Sequence, residues 1–156
     1  MSEATTSEAA RQLVVFVLGS EEYGLPIRTV QEVIRYQQPR VVASSDQTLL
    51  GVINLRGRIV PVHDVRPVLG LKAAGAEQAE GGEKIVLINV NDRMSGVVVD
   101  DVSEVLSVET SQFEDLPAAG NAIVEGVVKA GDRLIVLLDP VALTGLSSGI
   151  EETPAA

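Results

Sequence analysis

The sequence predicts a mostly β protein made of two small five-stranded β-barrel lobes packed side by side. Three observations predict this fold class. Hydrophobic residues make up 46% of the 156 residues but aromatic residues only 3%, so the apolar content is aliphatic, and its β-branched members favour strands. The chain also contains an internal repeat. Finally, each copy of the repeat consists of short apolar runs joined by tight turns, which is typical of hairpins.

The internal repeat relates residues 12–64 to residues 84–139. The first part of each copy aligns at an offset of 72 residues and the last part at an offset of 75. The matched pairs include Gly24 with Gly96, Glu32 with Glu104, Gly51 with Gly126 and Arg58 with Arg133. Because these matches occur in the same order along the chain, they indicate two copies of one β unit.

Each copy is predicted to form its own small barrel from two hairpins and a short segment between them. In the first copy, an apolar run at residues 13–18 begins the first hairpin, and residues 49–62 form the second one. The segment between the hairpins carries Val30, Val33 and Ile34, a spacing that fits one or two helical turns. The second copy has the same spacing in its matching segment, so a short helix is expected there too.

The folded domain is predicted to span residues 12–146. We expect the polar ends, residues 1–11 and 147–156, to be disordered. The small and polar segment 72–83 between the two copies fits a flexible loop. Residues 141–146 fit a final helical turn.

Composition excludes several classes of function. The sequence contains no cysteine, which excludes disulfides, thiolate metal sites and a cysteine nucleophile. No apolar run is long enough to cross a bilayer, and the polar N-terminus lacks the order of a secretion signal. These features predict a cytoplasmic protein without direct membrane insertion. The net charge of −10 argues against nucleic acid as a partner, since phosphate contacts need clustered cations.

The single histidine is the main candidate for catalysis. His63 precedes Asp64 on a predicted strand, where neighbouring side chains point to opposite faces, so the two cannot form a local dyad. A Ser-His-Asp site with the distant Ser44 or Ser45 stays open on the sequence alone, although no Gly-x-Ser-x-Gly motif supports it. A structural role, as a cap for the turn that follows it, fits Asp64 better.

Two acidic pairs are candidates for cation binding, Asp100-Asp101 and Glu114-Asp115. Consecutive carboxylates diverge on an extended chain, so solvated surface is the better interpretation, or a helix N-cap in the case of Asp101. The glycines form no phosphate-binding loop. The sequence therefore predicts no catalytic residue, no metal site and no cofactor, and it indicates an interaction module.

Five segments of the sequence resemble the CheW family. The central one is LGVINLRGRIVPVHDVR at residues 50–66. Upstream of it lie FVLGSEEYGLPI at 16–27 and VQEVI at 30–34, and downstream lie GVVVDDVSEVL at 96–106 and LLDP at 137–140. Together these segments cover nearly all of the predicted domain. The resemblance implies two SH3-like β-barrels side by side, with short helices, which agrees with the duplication.

The resemblance also implies a function without enzymatic activity. Members of this family are signalling adaptors that couple chemoreceptors, the methyl-accepting chemotaxis proteins, to the histidine kinase CheA in bacterial chemotaxis. The implied partners are the regulatory CheW-like domain of the kinase and the cytoplasmic helical tip of the receptor, which would recruit the chain to membrane-bound arrays. Two alternatives stay open. One is an adaptor of another kinase pathway, such as pilus motility, and the other is a small β-barrel ligand-binding or hydrolytic protein that uses His63.

The same resemblance implies which residues bind the receptor. Arg56 matches the arginine of the family's Asn-Leu-Arg-Gly block, and Glu32 and Val33 match a segment beside that surface. Val30 fits a groove between the lobes or the core equally well, and so does Val33. Gly51 matches a glycine that lets its strand pack closely, and a purely structural role fits it too. The second copy has Ala130-Gly131 where the first has Leu55-Arg56, so the receptor contact is expected in the first copy alone. The kinase-binding residues stay unassigned.

Overall fold

The computed structural model describes residues 10–43, 48–71, 83–115 and 123–145. In these ranges the chain is mostly β, as predicted, with short helical turns. The strands are β1 (Ala10–Leu18), β2 (Glu21–Pro26), β3 (Val30–Arg35), β4 (Leu49–Leu55), β5 (Arg58–His63), β6 (Lys84–Val90), β7 (Arg93–Val99), β8 (Asp101–Glu109), β9 (Phe113–Asp115), β10 (Val124–Ala130) and β11 (Arg133–Leu138). The helix α1 covers Pro140–Gly145, and 3₁₀ turns cover Ile27–Thr29, Pro67–Leu69 and Thr110–Gln112. No helix in the described ranges has the length and apolar character needed to span a membrane.

The strands of the described ranges form two sheets, one for each lobe. The six-stranded lobe has the order β8-β1-β2-β11-β10-β9 and the five-stranded lobe the order β3-β6-β7-β5-β4. Replacing each strand of the five-stranded lobe by its repeat partner gives β8-β1-β2-β11-β10, which is the order of the first five strands of the six-stranded lobe. The additional strand β9 has a smaller counterpart in the other lobe, an isolated bridge between Arg40 and Val52.

The prediction that each copy builds its own barrel is wrong, because the two copies exchange their first hairpins. The β1–β2 hairpin of the first copy lies between β8 and β11 of the second copy, and β6–β7 lies between β3 and β5. Only Asp100 separates β7 from β8. Pairing within one copy would place β8 beside β6 and parallel to β7, and such a parallel arrangement needs a crossover of about a dozen or more residues. The chain therefore continues into the other sheet.

The short helix predicted after the first hairpin of each copy is also wrong. Residues 30–35 form β3, in which half-buried and exposed residues alternate with a period of two. The inward residues are Val30, Glu32 and Ile34, and the polar Glu32 hides this alternation from a search for apolar spacing. Asp101 accordingly caps no helix and instead begins β8.

The predicted shared core is confirmed, because the largest cluster of buried residues lies between the two sheets. It includes Phe16, Leu18, Tyr23 and Leu25 from the six-stranded lobe and Val86, Ile88, Val97 and Val99 from the five-stranded lobe. A second cluster fills the five-stranded lobe and a third fills the six-stranded lobe. The lobes therefore pack on each other through aliphatic side chains, and burial of that surface is the main force that holds them together.

Several predictions fall at or beyond the edges of the described ranges. The strand β1 begins at Ala10, two residues inside the predicted disordered N-terminus. The predicted tail at 147–156 and residues 72–82 of the predicted loop 72–83 lie outside the described residues. The final helical turn is present as α1 and begins one residue earlier than predicted.

Candidate protein-interaction site

The candidate site begins at the turn between β4 and β5. Arg56 and Gly57 form a two-residue loop with φ angles of 51° and 88°, which is the pattern of a type I′ hairpin turn. The side-chain oxygen Oδ1 of Asn54 accepts a hydrogen bond from the backbone N–H of Gly57 at 2.8 Å and fixes the loop. Arg56 therefore stands at the tip of a rigid turn, with 67% of its side chain exposed.

Arg56 forms an ion pair with Glu32. Its Nη2 donates to Oε1 of Glu32, whose side chain is 33% exposed. Glu32 lies on β3 and the Arg56 turn follows β4, and these strands are the two ends of the five-stranded sheet. The pair thus joins the two edges of one lobe. Two residues that the resemblance placed at the receptor site therefore lie in direct contact.

The six-stranded lobe contains an equivalent pair that the sequence analysis missed. Arg133 Nη2 donates to Glu104, the repeat partner of Glu32, and also to Glu22 at 3.0 Å. Hydrogen bonds to the carboxylates of Glu22 and Glu104 raise the pKa of Arg133. Because Gly131 occupies the turn position in this copy, the arginine comes from the strand instead. The repeat alignment could have pointed to Glu104 as the partner of Glu32, but not to Arg133, which aligns with Arg58 and not with Arg56.

The other three predicted site residues differ in their surroundings. Val33 is 38% exposed beside Glu32 on β3. Val30 is half-buried and packs against the cluster between the lobes, and Gly51 is buried. Arg56 and Glu32 therefore lie together at the surface, whereas Val33 is exposed on the opposite face of β3.

The histidine is buried and lacks the surroundings of a catalytic base. His63 is 1% exposed, and its Nδ1 lies 2.8 Å from Oγ1 of Thr48. A reacting group must reach a substrate, which this depth prevents. Ser44 and Ser45, the serines considered for a hydrolytic site, lie outside the described residues.

The acidic pair Asp100-Asp101 diverges as predicted. Asp100 accepts a hydrogen bond from Arg66 Nη1 at 2.8 Å, whereas Asp101 accepts one from Lys84 Nζ at 3.1 Å on the outer surface. This hydrogen bond from Lys84 lowers the pKa of Asp101. In the other pair, Glu114 lies 3.5 Å from Lys129 Nζ. These carboxylates are paired with cations, which fits a structural or surface role.

A buried ion cluster around Arg66 is the second feature that the sequence analysis missed. The predicted capping role of Asp64 is confirmed, since its Oδ1 accepts hydrogen bonds from the backbone N–H of Arg66 at 3.1 Å and from its Nε at 2.9 Å. The Arg66 side chain is 3% exposed and also contacts Glu83 and Asp100. No spacing in the sequence connects residues so far apart, so only the folded chain reveals this cluster.

Comparison with known proteins decides the family. The model of the CheW-like domain matches residues 12–147. The chain belongs to the CheW family. This confirms the resemblance drawn from the sequence segments.

Relatives of this CheW-like chain support the assignment over most of its length. The chemotaxis protein CheW of Klebsiella aerogenes is 31% identical over 143 residues, which cover 89% of this chain and 84% of that protein. The chemotaxis protein CheW of Bacillus subtilis is 27% identical over 151 residues, or 94% and 95% of the two chains. The crystal structure of the scaffolding protein TtCheW from Thermoanaerobacter tengcongensis has a TM-score of 0.73 and 30% identity, and the match covers 83% of this chain and 88% of that chain.

Proposed function

We propose that this CheW-like chain is a non-enzymatic adaptor that couples chemoreceptors to the histidine kinase CheA in bacterial chemotaxis. In this role it is a cytoplasmic protein that membrane-bound receptors recruit to their arrays. The observation that carries the proposal is the exposed Arg56–Glu32 pair on a rigid turn of a CheW-like fold. The family, the relatives named as chemotaxis proteins and the structural match to a scaffolding protein support it.

The Arg56 side chain has the chemistry that recognition of a receptor helix requires. A guanidinium presents five N–H donors in a planar fork, which suits carboxylates and carbonyl groups on a partner. The pair with Glu32 orients the fork and still leaves two-thirds of the Arg56 side chain exposed. Val33, which is exposed on the opposite face of β3, offers an apolar contact for the hydrophobic stripe of a helix. Arg56 and Glu32 form the proposed polar contact for the helical receptor tip, and Val33 forms the proposed apolar one.

Replacing Arg56 with alanine is expected to give a folded protein that still binds the kinase but binds the receptor tip about tenfold to hundredfold more weakly. A charge-assisted hydrogen bond contributes about 1.5–3 kcal/mol, which corresponds to that range. Folding should change little, because an exposed ion pair contributes at most about 1 kcal/mol. Titration of a receptor fragment measures the affinity, and urea denaturation measures the stability.

The matched control for this experiment is Arg133→Ala in the other lobe. Arg133 forms the equivalent ion pair with Glu104, so its removal costs a similar surface interaction. If the receptor contact belongs to the first copy, Arg133→Ala keeps normal receptor affinity. Unchanged affinity in Arg56→Ala, or an equal loss in both variants, would remove Arg56 from a receptor site specific to the first copy.

The kinase side of the proposal is tested separately. Co-purification of a CheA-type kinase with the tagged chain supports the adaptor function, and the identity of that kinase reveals which pathway the chain serves. The proposed partner domain is the regulatory CheW-like domain of the kinase. Failure to capture any histidine kinase from cells that express the receptors would contradict the proposal.

His63→Ala is expected to leave receptor and kinase binding close to normal. The imidazole is buried against Thr48, so its loss leaves the Thr48 hydroxyl without this contact and costs about 1–3 kcal/mol of stability. Binding titrations at a temperature where the variant is folded measure the effect on function. A complete loss of coupling in a folded variant would favour the alternative in which His63 serves a reaction.

A further inference from the structure

A buried cluster of ion pairs surrounds Arg66. One guanidinium meets three carboxylates: Asp64 at 2.9 Å, Asp100 at 2.8 Å and Glu83 at 3.3 Å. The side chains of Arg66, Asp64 and Glu83 are 3%, 6% and 5% exposed, and that of Asp100 is 31% exposed. Three ionised carboxylates around one cation would leave an excess of two negative charges in a largely dry site, where uncompensated charge is costly.

The cluster lies where the chain crosses from one lobe to the other. Asp100 is the single residue between β7 of the five-stranded lobe and β8 of the six-stranded lobe. Its backbone N–H donates to the carbonyl of Val17 at 2.9 Å, and its Oδ2 accepts a hydrogen bond from the N–H of Gly19 at 2.7 Å. Asp100 therefore forms hydrogen bonds with the β1–β2 hairpin of the six-stranded lobe. Arg66, which follows β5 in the five-stranded lobe, forms an ion pair with Asp100.

Among the three carboxylates of the cluster, that of Glu83 has the weakest hydrogen bonds to Arg66. Its Oε1 has no hydrogen-bond partner among the residues that the structure describes, and its Oε2 receives long contacts of 3.4 and 3.3 Å from Nη1 and Nη2 of Arg66. Burial raises the pKa of Glu83, with the charges of Asp100 and Asp64 adding to this effect and Arg66 opposing it. The Tyr36 hydroxyl also faces this charge, since burial and then Glu83 and Asp64 raise its pKa.

Glu83 and Asp100 both contact Nη1 of Arg66. This nitrogen carries two N–H groups, and it lies 2.8 Å from Asp100 Oδ1 and 3.4 Å from Glu83 Oε2. An ionised Glu83 repels the charges of Asp100 and Asp64 beside it, whereas a neutral Glu83 removes this repulsion while Arg66 keeps its ion pairs with both aspartates. The protonation state of Glu83 therefore changes the contact that ties the two lobes together.

We propose that Glu83 is a proton-binding residue. Uptake of one proton from solvent by its carboxylate strengthens the Arg66–Asp100 ion pair that links the two lobes. The proton forms an O–H bond on Glu83 and no covalent bond breaks. Proton binding at Glu83 is separate from the proposed receptor contact at Arg56, because the Arg66 cluster and the Arg56–Glu32 pair share no residue.

The sign of the pH dependence follows from burial. A carboxyl group whose pKa is higher in the folded chain than in the unfolded chain contributes stability that is complete below the unfolded value of about 4.3 and is lost as the pH rises through the folded value. Glutamine at position 83 mimics the neutral form at every pH. The stability of Glu83→Gln relative to the parent chain should therefore increase as the pH rises from about 4 to about 8, by about tenfold in the folding equilibrium constant for each unit by which the pKa is raised.

Urea denaturation of the parent chain and Glu83→Gln across this pH range tests the first half of the proposal. Asp101→Asn is the matched control, because Lys84 lowers the pKa of Asp101. Its stability relative to the parent should therefore not rise between about pH 4 and about pH 8, because the change that a lowered carboxyl pKa causes lies mainly below about pH 4. A difference between Glu83→Gln and the parent that stays flat, or that decreases with rising pH, overturns the assignment of Glu83 as the proton-binding residue.

Amide hydrogen exchange at Gly19 tests the second half. The N–H of Gly19 donates to Asp100. A stronger Arg66–Asp100 ion pair holds Asp100 in place and therefore protects this amide from exchange. At neutral pH the Gly19 amide should exchange more slowly in Glu83→Gln than in the parent chain, and lowering the pH should raise protection in the parent alone once the intrinsic exchange rate is corrected for. Equal protection in the two proteins across the pH range overturns the link between Glu83 and the contact between the lobes.

Discussion

Replacing Arg66 with alanine is expected to destabilise the chain by about 3–5 kcal/mol, because Asp64, Glu83 and Asp100 lose the guanidinium that they share. Folded domains are typically stable by about 5–15 kcal/mol, so this change removes a large part of the total. Urea denaturation followed by circular dichroism measures it. The loss should shrink as the pH falls, because burial raises the pKa of Glu83 and its protonated carboxyl group needs no counterion.

The matched control for Arg66→Ala is Arg58→Ala. Arg58 lies on the exposed surface, and its Nη2 donates to the backbone carbonyl of Asp92 at 2.9 Å. A surface change of this kind typically alters stability by about 0.5 kcal/mol or less. A loss in Arg66→Ala that is no larger than in Arg58→Ala, or one that does not depend on pH, would show that water or other groups compensate the buried carboxylates.

Most strands and the turn at Arg56 could be predicted from the sequence because both leave local patterns. Aliphatic runs and turn glycines mark most strands, but not β3 and β8, and the two-residue turn at Arg56 follows from the Asn-Leu-Arg-Gly block. The contact between Arg56 and Glu32 spans 24 residues of sequence. It became predictable only through the resemblance, which placed both residues at one surface.

The exchange of hairpins could not be predicted in the same way. A duplicated sequence fits two separate barrels and two exchanged ones equally well, since the same strands pair in the same order in both. The deciding feature is the single residue between β7 and β8, which is too short for the crossover that pairing within one copy would require. The Arg66 cluster depends on this crossing, because it gathers residues from strand ends that only the exchange brings together.

Gly51→Ala is expected to have the second large effect, although the surface near Arg56 stays chemically unchanged. Gly51 has a φ of +151°, and a Cβ atom there would lie 2.2 Å from the backbone oxygen of Arg40. A backbone atom cannot move aside as a flexible side chain can, so the segment that holds Arg40 must shift. That shift breaks the paired hydrogen bonds between Arg40 and Val52, at 2.8 and 2.9 Å. Strain and overpacking each cost about 1–3 kcal/mol.

The comparison with Gly57→Ala separates crowding from backbone conformation. Gly57 also has a positive φ, of +88°, but a Cβ atom there would meet nothing within 4 Å, so the change costs only the strain of about 1–2 kcal/mol. Thermal and urea unfolding of both variants measures the difference. If Gly51→Ala costs clearly more and its receptor affinity follows the folded fraction, Gly51 acts by letting two backbone segments approach and contributes to binding only through the fold. Equal costs would contradict the crowding argument. A fully folded Gly51→Ala variant with weakened receptor binding would instead place the receptor directly against β4.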